Sequence, residues 1–289
     1  MKKIKLRKQN TLDKSSSFGS GTLHNGDYSK ITIYPAEADN GIIFKYKNSD
    51  IKASLENASA EGNMMRLSNG REKIYCTEHL LSAINSMEVD NCIIELEGCN
   101  EIAWGDGSSR DFAEMISEAG IKPQKKYCYA YRLSKKIRHA DSMDKNRFIE
   151  ATPVKNNNNN TSILCEIHFD NIIGKQKFLH SASRENFMKD IAGARSFFSS
   201  DIDTAKNQMK KFAGFKKYNV ISYSKKEFLT ELRYKDECAR HKLLDFMGDF
   251  SLLGHRIIAD FHVSRGGHKL HLAFARKLSE EMRLDEKHI

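Results

Sequence analysis

The chain has 289 residues, 39% of them hydrophobic and 29% charged, with a formal net charge of +9 and a pI of about 9.1. That is enough chain for one large domain or two ordinary ones, each with its own core, and no apolar run approaches the roughly 20 residues that a membrane-crossing helix needs. The positive balance suits an anionic ligand or a position near a membrane surface without insertion. The basic residues come in short groups (Lys2 to Lys8, Lys125-Lys126, Lys135-Lys136, Lys210-Lys211, Lys216-Lys217) with no zinc-finger, RRM or helix-turn-helix pattern around them, so nucleic-acid binding is not expected.

Met1 to Lys8 is basic, and no apolar stretch follows it, which argues against a secretory signal. Residues 12–60 are strand-rich: Ile31-Thr32-Ile33-Tyr34 alternates up to Pro35, and Gly41 to Tyr46 forms a second short strand. Before them lies a glycine-rich turn, Gly19 to Asp27. Tyr75 to Ile84 predicts a helix, with Leu80, Leu81 and Ile84 on one face and Thr77 as its N-cap. Val89 to Leu96 reads as a strand, Asp106 to Ser109 as a turn, and Arg110 to Ala119 as a helix ending at Gly120. Lys122-Pro123-Gln124-Lys125-Lys126 is the best boundary between an N-terminal domain, 1–124, and a C-terminal domain, 125–289.

The second half repeats this mixture. Asn156 to Asn160, five asparagines in a row, predicts a hairpin loop before a strand from Ser162. Ser183 to Ala192 reads as a helix with Phe187 and Ile191 inward and Gly193 at its end. A helix ending near Gly214 and a strand at Asn219 to Tyr223 follow. Ala239 to Asp249 is helical by the spacing of Leu243, Leu244, Phe246 and Met247. Arg256 to Val263 reads as one strand, Gly266-Gly267-His268 as a turn, and Lys269 to Arg283 as the last helix. Two such halves predict an α+β class rather than a doubly wound parallel sheet. There is no GxGxxG or Walker loop to suggest a nucleotide cofactor. Cys76, Cys92, Cys99, Cys128, Cys165 and Cys238 are scattered without a CxxC, as in a reduced cytoplasmic protein.

Three polar groups stand beside helix or turn signals: Glu78-His79, His241 with Asp245, and Gly267-His268. On a helix His241 and Asp245 lie one turn apart on the same side, with Asp249 a turn further. Taken alone, such a pair is more often an exposed i,i+4 contact than a metal site. His79, His241 and Asp245 would supply the three protein ligands of a catalytic zinc centre, which keeps a further position for water. Glu78, about 100° around the helix from His79, is then placed to act as a base, and His268 as an acid supported by Asp249. Spacing cannot bring these pieces together, because they lie in opposite halves of the chain.

At these residues the chain resembles the UDP-3-O-acyl-N-acetylglucosamine deacetylases over nearly its whole length. The carrying motifs are Ser20-Gly21-Thr22-Leu23-His24-Asn25-Gly26, Cys76-Thr77-Glu78-His79-Leu80, Asp90-Asn91, Asp106-Gly107-Ser108, Ala194-Arg195-Ser196-Phe197, Arg240 to Asp249, and Gly266-Gly267-His268-Lys269-Leu270. The resemblance implies two similar α+β halves, each a mainly antiparallel sheet, with helices packed between the sheets. It implies Zn²⁺, with Fe²⁺ as the alternative, on His79, His241 and Asp245. Glu78 would be the base, His268 the acid and Asp249 its support. Ser196 would assist the oxyanion, and Lys242 and Phe197 would contact the substrate, an acylated UDP-amino sugar on the route to lipid A. A cytoplasmic monomer is the expected form.

Some positions depart from the family pattern. Ser20 and Thr22 replace two glycines, Cys76 and Ser196 replace threonines, Asp111 replaces a proline, and Tyr218 replaces an aspartate. The last lies in the unit at about 197–223 that lines the acyl passage in the family, and Lys210, Lys211, Lys216 and Lys217 make it basic. Two other readings therefore stand beside the first: a paralogous deacetylase of another N-acetylated nucleotide sugar, and a catalytically silent nucleotide-sugar-binding protein.

Overall fold

The computed structural model describes residues 1–155, 160–200 and 213–286. Most of the asparagine run and the helix expected before Gly214 therefore lie outside the described residues. The protein is α+β, with mostly antiparallel sheets.

One five-stranded sheet has the order β2 (Ser16–Gly21), β3 (Tyr28–Pro35), β9 (Cys92–Gly98), β4 (Ile42–Tyr46), β5 (Ser49–Lys52). A second has the order β11 (Ile137–Ala140), β12 (Phe148–Thr152), β18 (Asp260–Ser264), β13 (Ser162–His168), β14 (Lys175–Ser181). The two orders match: in each, the last strand of the set enters between two hairpins. That strand is antiparallel to one neighbour and parallel to the other, β9 to β4 and β18 to β13. Alternation sets which face is buried. Ile163, Cys165 and Ile167 of β13 are inside, as are Ile31 and Ile33 of β3. A smaller sheet, β6 (Ala58–Glu61), β7 (Met64–Ser68) and β8 (Lys73–Tyr75), leads into the first helix.

The segment expected to separate the domains is itself a strand. β10 (Ile121–Arg132) runs through Pro123 and pairs with β1 (Lys2–Leu12) along its length. Its other edge takes β17 (Arg256–Ile258) in parallel. The stretch expected as one strand, Arg256 to Val263, is thus two strands in different sheets, with buried Ala259 between them. The unbroken apolar run Ile257-Ile258-Ala259 hides this change of sheet from any pattern reading.

Helix α1 (Glu78–Ser86) packs on α2 (Arg110–Ala119) and on α4 (Glu237–Ser251), and α4 rests on β13 and β14. Helix α5 (His268–Glu286) packs on α4 and on β11 and β6. The helix expected at Ser183 to Ala192 is a single α-turn, α3 (Arg184–Asn186), capped by the Ser183 hydroxyl. It widens into a π-turn over Phe187–Ile191, with Phe187 and Ile191 buried as their spacing suggested. A π-turn re-aims the chain that leaves it, and here that chain is Gly193 to Ser196.

Candidate active site

The site forms where α1 crosses α4. Gly248 makes that crossing possible, because a Cβ there would stand 2.0 Å from the Glu78 carbonyl oxygen. Any side chain at 248 would push the helices apart, so this glycine sets how near the first turn of α1 comes to α4. That first turn carries Glu78 and His79, each 3% exposed. Thr77 stands at the N-cap position, but its side chain makes no capping bond. Its φ of −81° and ψ of −15° are helical, whereas a capping side chain needs an extended backbone to reach the turn. The His79 carbonyl instead accepts a bond from the Ser109 hydroxyl, 2.8 Å.

The structure brings His79, His241 and Asp245 together. Their ligand atoms all lie within 4.8 Å of one another. His79 Nε2 is 3.6 Å and His241 Nε2 3.4 Å from the same oxygen, Asp245 Oδ1. The two imidazoles meet edge to face with centroids 5.0 Å apart. His241 Nδ1 is 3.1 Å from the Ala194 carbonyl. A carbonyl only accepts, so Nδ1 carries the proton and Nε2 keeps its lone pair. Burial pushes His241 down to about 3, so the ring stays neutral at neutral pH. Burial raises the Asp245 carboxyl, but the Lys242 ammonium outweighs it and holds the group well below the usual range. Two imidazoles and a carboxylate, buried and convergent, fit a zinc or ferrous ion.

The remaining expected groups surround this trio. Glu78 Oε2 accepts the Met65 N–H at 3.2 Å, and Oε1 lies 3.9 Å from His268 Nε2. Burial pushes the Glu78 carboxyl up. His268 opens α5 and gives its Nδ1–H to Asp249 Oδ2 at 2.7 Å. Burial disfavours its charge, yet Asp249 and Glu78 raise it to about 10. Lys242 Nζ donates to Asp245 Oδ2 at 2.8 Å and sits 5.4 Å from the centre of the Phe197 ring. Phe197, in β15 (Phe197–Ser199), also faces His241 edge-on at 6.1 Å.

A family model described as "UDP-3-O-acyl N-acetylglycosamine deacetylase" matches residues 9–280. The chain belongs to this deacetylase family. It is 34% identical to the UDP-3-O-acyl-N-acetylglucosamine deacetylase of Campylobacter jejuni over 279 residues, 95% of this chain and 92% of the relative. It is 33% identical to that of Campylobacter fetus over 97% of this chain and 93% of the relative. For that of Thermodesulfovibrio yellowstonii the figures are 34%, 94% and 92%.

In this member of the deacetylase family, three structural groups escaped the motif reading. The first is a clamp beneath the Ala194 carbonyl. Glu237, fully buried, accepts the Arg195 N–H (3.0 Å) and Nε–H (2.9 Å) on Oε1, and the Arg195 Nη2–H (3.1 Å) and Arg233 N–H (2.6 Å) on Oε2. Ser196 follows the clamp and is held through its backbone, its N–H to Gly107 O and its carbonyl to the Ile221 N–H. Ile221 begins β16 (Ile221–Tyr223), which pairs in parallel with β15.

The second group is Glu101, whose Oε1 receives the N–H of Leu23 and of His24 and the His24 ring at 2.8 Å, with Cys76 Sγ at 3.6 Å. His24, Cys76 and Glu101 have ligand-type atoms close together, but these bonds tie the glycine-rich turn to the start of α1. Cys76 itself has a φ of +59°, a conformation that a non-glycine residue adopts at a cost. The third is His271, which reaches Asp249 from the second side. Its only sequence signal is the i,i+3 spacing from His268.

Proposed function

We propose that this chain hydrolyses the acetamide of UDP-3-O-(3-hydroxyacyl)-N-acetylglucosamine to the free amine and acetate, the committed step of lipid A biosynthesis. The observation that carries the reading is the convergence, on one buried site, of the His79–His241–Asp245 set with Glu78 and His268. The names of the relatives point to the same substrate. His79, His241 and Asp245 would hold Zn²⁺, or Fe²⁺ in its place. A divalent cation held there supplies Lewis-acid chemistry to a water and to the acetamide carbonyl.

The chain's own groups move the protons. Glu78 takes a proton from the attacking water on Oε1, while Oε2 stays tied to Met65. Its raised pKa brings it nearer to neutral pH, where a base is most effective. His268, kept protonated by Asp249, gives its Nε2 proton to the departing amine. Ser196 donates its hydroxyl to the developing oxyanion, and Lys242 with Phe197 lines the approach.

A cleft of about 440 Å³, lined by Asn146, Glu166, His168, Lys175, Lys177 and Arg265 among others, lies beside the turn that delivers His268. Its cationic side chains suit the diphosphate of a UDP sugar. We place the base and one ligand in an N-terminal unit, 1–124. The other ligands and the acid fall in 125–289, with the acyl passage at about 197–223, of which 201–212 lie outside the described residues. Among the described residues no helix is long and apolar enough to cross a membrane. We infer a cytoplasmic monomer that meets its lipid-linked substrate near the membrane surface and binds no nucleic acid.

Acetate release from the acylated UDP-sugar and from its non-acylated counterpart tests the substrate; equal turnover of both would sink acyl recognition. Glu78→Ala should abolish turnover while bound metal, measured by atomic emission, stays at the parent level. An active Glu78→Ala enzyme would refute the assignment of the base.

A further inference from the structure

Two imidazoles converge on one carboxylate oxygen. Asp249 Oδ2 is 2.7 Å from His268 Nδ1 and 2.6 Å from His271 Nδ1, and all three side chains are buried. Neither contact leaves space for an ion between the atoms, so both are hydrogen bonds. An ionised carboxylate only accepts, so both rings donate from Nδ1. The other oxygen, Asp249 Oδ1, has no hydrogen-bond partner among the described residues. The carboxylate is therefore held through Oδ2 alone, and His271 makes one of its two bonds.

The surroundings fix His271 for this task. Its ring meets Phe246 edge-on at 5.3 Å. Its Nε2 lies 2.6 Å from where a Cβ on residue 266 would stand, and glycine at that position leaves the room it needs. Nε2 has no hydrogen-bond partner among the described residues, as a bare lone pair facing Gly266 allows.

We infer that His271 is a positioning residue: its Nδ1–H pins the Asp249 carboxylate so that Oδ2 meets His268 Nδ1 and the opposite edge of the His268 ring faces Glu78. Without it the carboxylate keeps a single bond and turns about its terminal torsion, and the His268 ring, whose Nε2 is 3.0 Å from the Asn63 carbonyl, loses the fixed partner of its Nδ1. This rests on the reading of His268 as the acid. His271 touches neither substrate nor the ligand trio in this account, so its loss weakens the chemical step and leaves binding intact.

The experiment has two arms. Long-range ¹⁵N–¹H spectra of the intact, metal-loaded protein read the tautomer of each histidine without any turnover. A neutral His271 protonated on Nδ1 is expected, and a proton on Nε2 would overturn the inference, whether or not any variant folds. Kinetics then compare His271→Leu with His271→Asn, whose amide N–H can replace the bond to Asp249. The leucine variant should lose about tenfold in kcat at unchanged KM and metal content, in the range expected for an outer-shell partner. The asparagine variant should recover to within about threefold of the parent. Equal kcat in the two variants, or a loss confined to KM, would refute the positioning role. Full turnover by His268→Ala would instead fault the acid assignment, and it is distinguishable because the tautomer is read independently of turnover.

Discussion

The Glu237 clamp makes a sharp test of how the proposed metal ligands are held. Its carboxylate is fully buried and accepts four hydrogen bonds, three from Arg195 and one from the Arg233 N–H. In Glu237→Gln the amide oxygen can keep the two contacts on the Oε1 side. The amide nitrogen then faces two donors, Arg195 Nη2 and Arg233 N, and the Arg195 guanidinium loses its counter-charge while only 5% exposed. The Glu231 carbonyl still accepts from Arg195 at 2.7 Å, so the cation is not wholly abandoned. Removing one partner of a buried ion pair costs about 3–5 kcal/mol. For a chain of this size that corresponds to a fall in Tm of roughly 10 °C.

Metal binding at the proposed site should feel the change too. Ala194, whose carbonyl fixes the tautomer of His241, is the residue before Arg195. A looser anchor should weaken metal binding by about tenfold, read as competition with a chromogenic chelator. Thermal melts by circular dichroism give the first quantity. A Tm within 1–2 °C of the parent, on the same per-kcal scale, together with unchanged chelator competition, would show that the clamp does not hold the site.

Gly248→Ala should separate α1 from α4, because its Cβ would collide with the Glu78 carbonyl. A loss of at least about 1–3 kcal/mol in a urea titration is expected, along with lost metal binding, and an unaffected variant would contradict the close crossing. His180 is 1% exposed, and its ring nitrogens have no hydrogen-bond partner among the described residues; burial pushes it down to about 4. Its folded pKa lies below its unfolded value, so the unfolded state binds more protons. Stability therefore falls as pH drops through about 6.5 to 4 and is level below. That contributes roughly 2 kcal/mol of lost stability between pH 7.5 and 5. His180→Leu should flatten that slope in urea midpoints measured at both pH values, and an unchanged slope would refute the assignment.

Much of this protein is legible in its residues. The helix at Glu78 announces itself through Leu80, Leu81 and Ile84, and the helix at His241 through Leu243, Leu244, Phe246 and Met247, because a helical face repeats within a single segment. Motif order suffices to join Glu78-His79, Arg240 to Asp249 and Gly266-Gly267-His268 into one family pattern. Local patterning fails where a residue answers to a distant one. Arg256 to Val263 divides between two sheets because β10 and β13 claim different parts of it. Thr77 fails as a cap because its backbone follows the packing of α1 rather than its own side-chain preference.

The composition and motifs of the chain determine an α+β protein of the deacetylase family, with its candidate ligands and acid–base groups on known segments. Tertiary structure alone decides that His79, from one half of the chain, and His241 with Asp245, from the other, face one point. Their alignment depends on a glycine 169 positions after His79 that lets two helices touch. It also decides what lies behind them: the Glu237 carboxylate under Ala194, and His271 against Asp249. Those partners are buried polar groups bonded to residues 42 and 22 positions away in the sequence. The need to satisfy them sets a geometry that no run of neighbouring residues encodes.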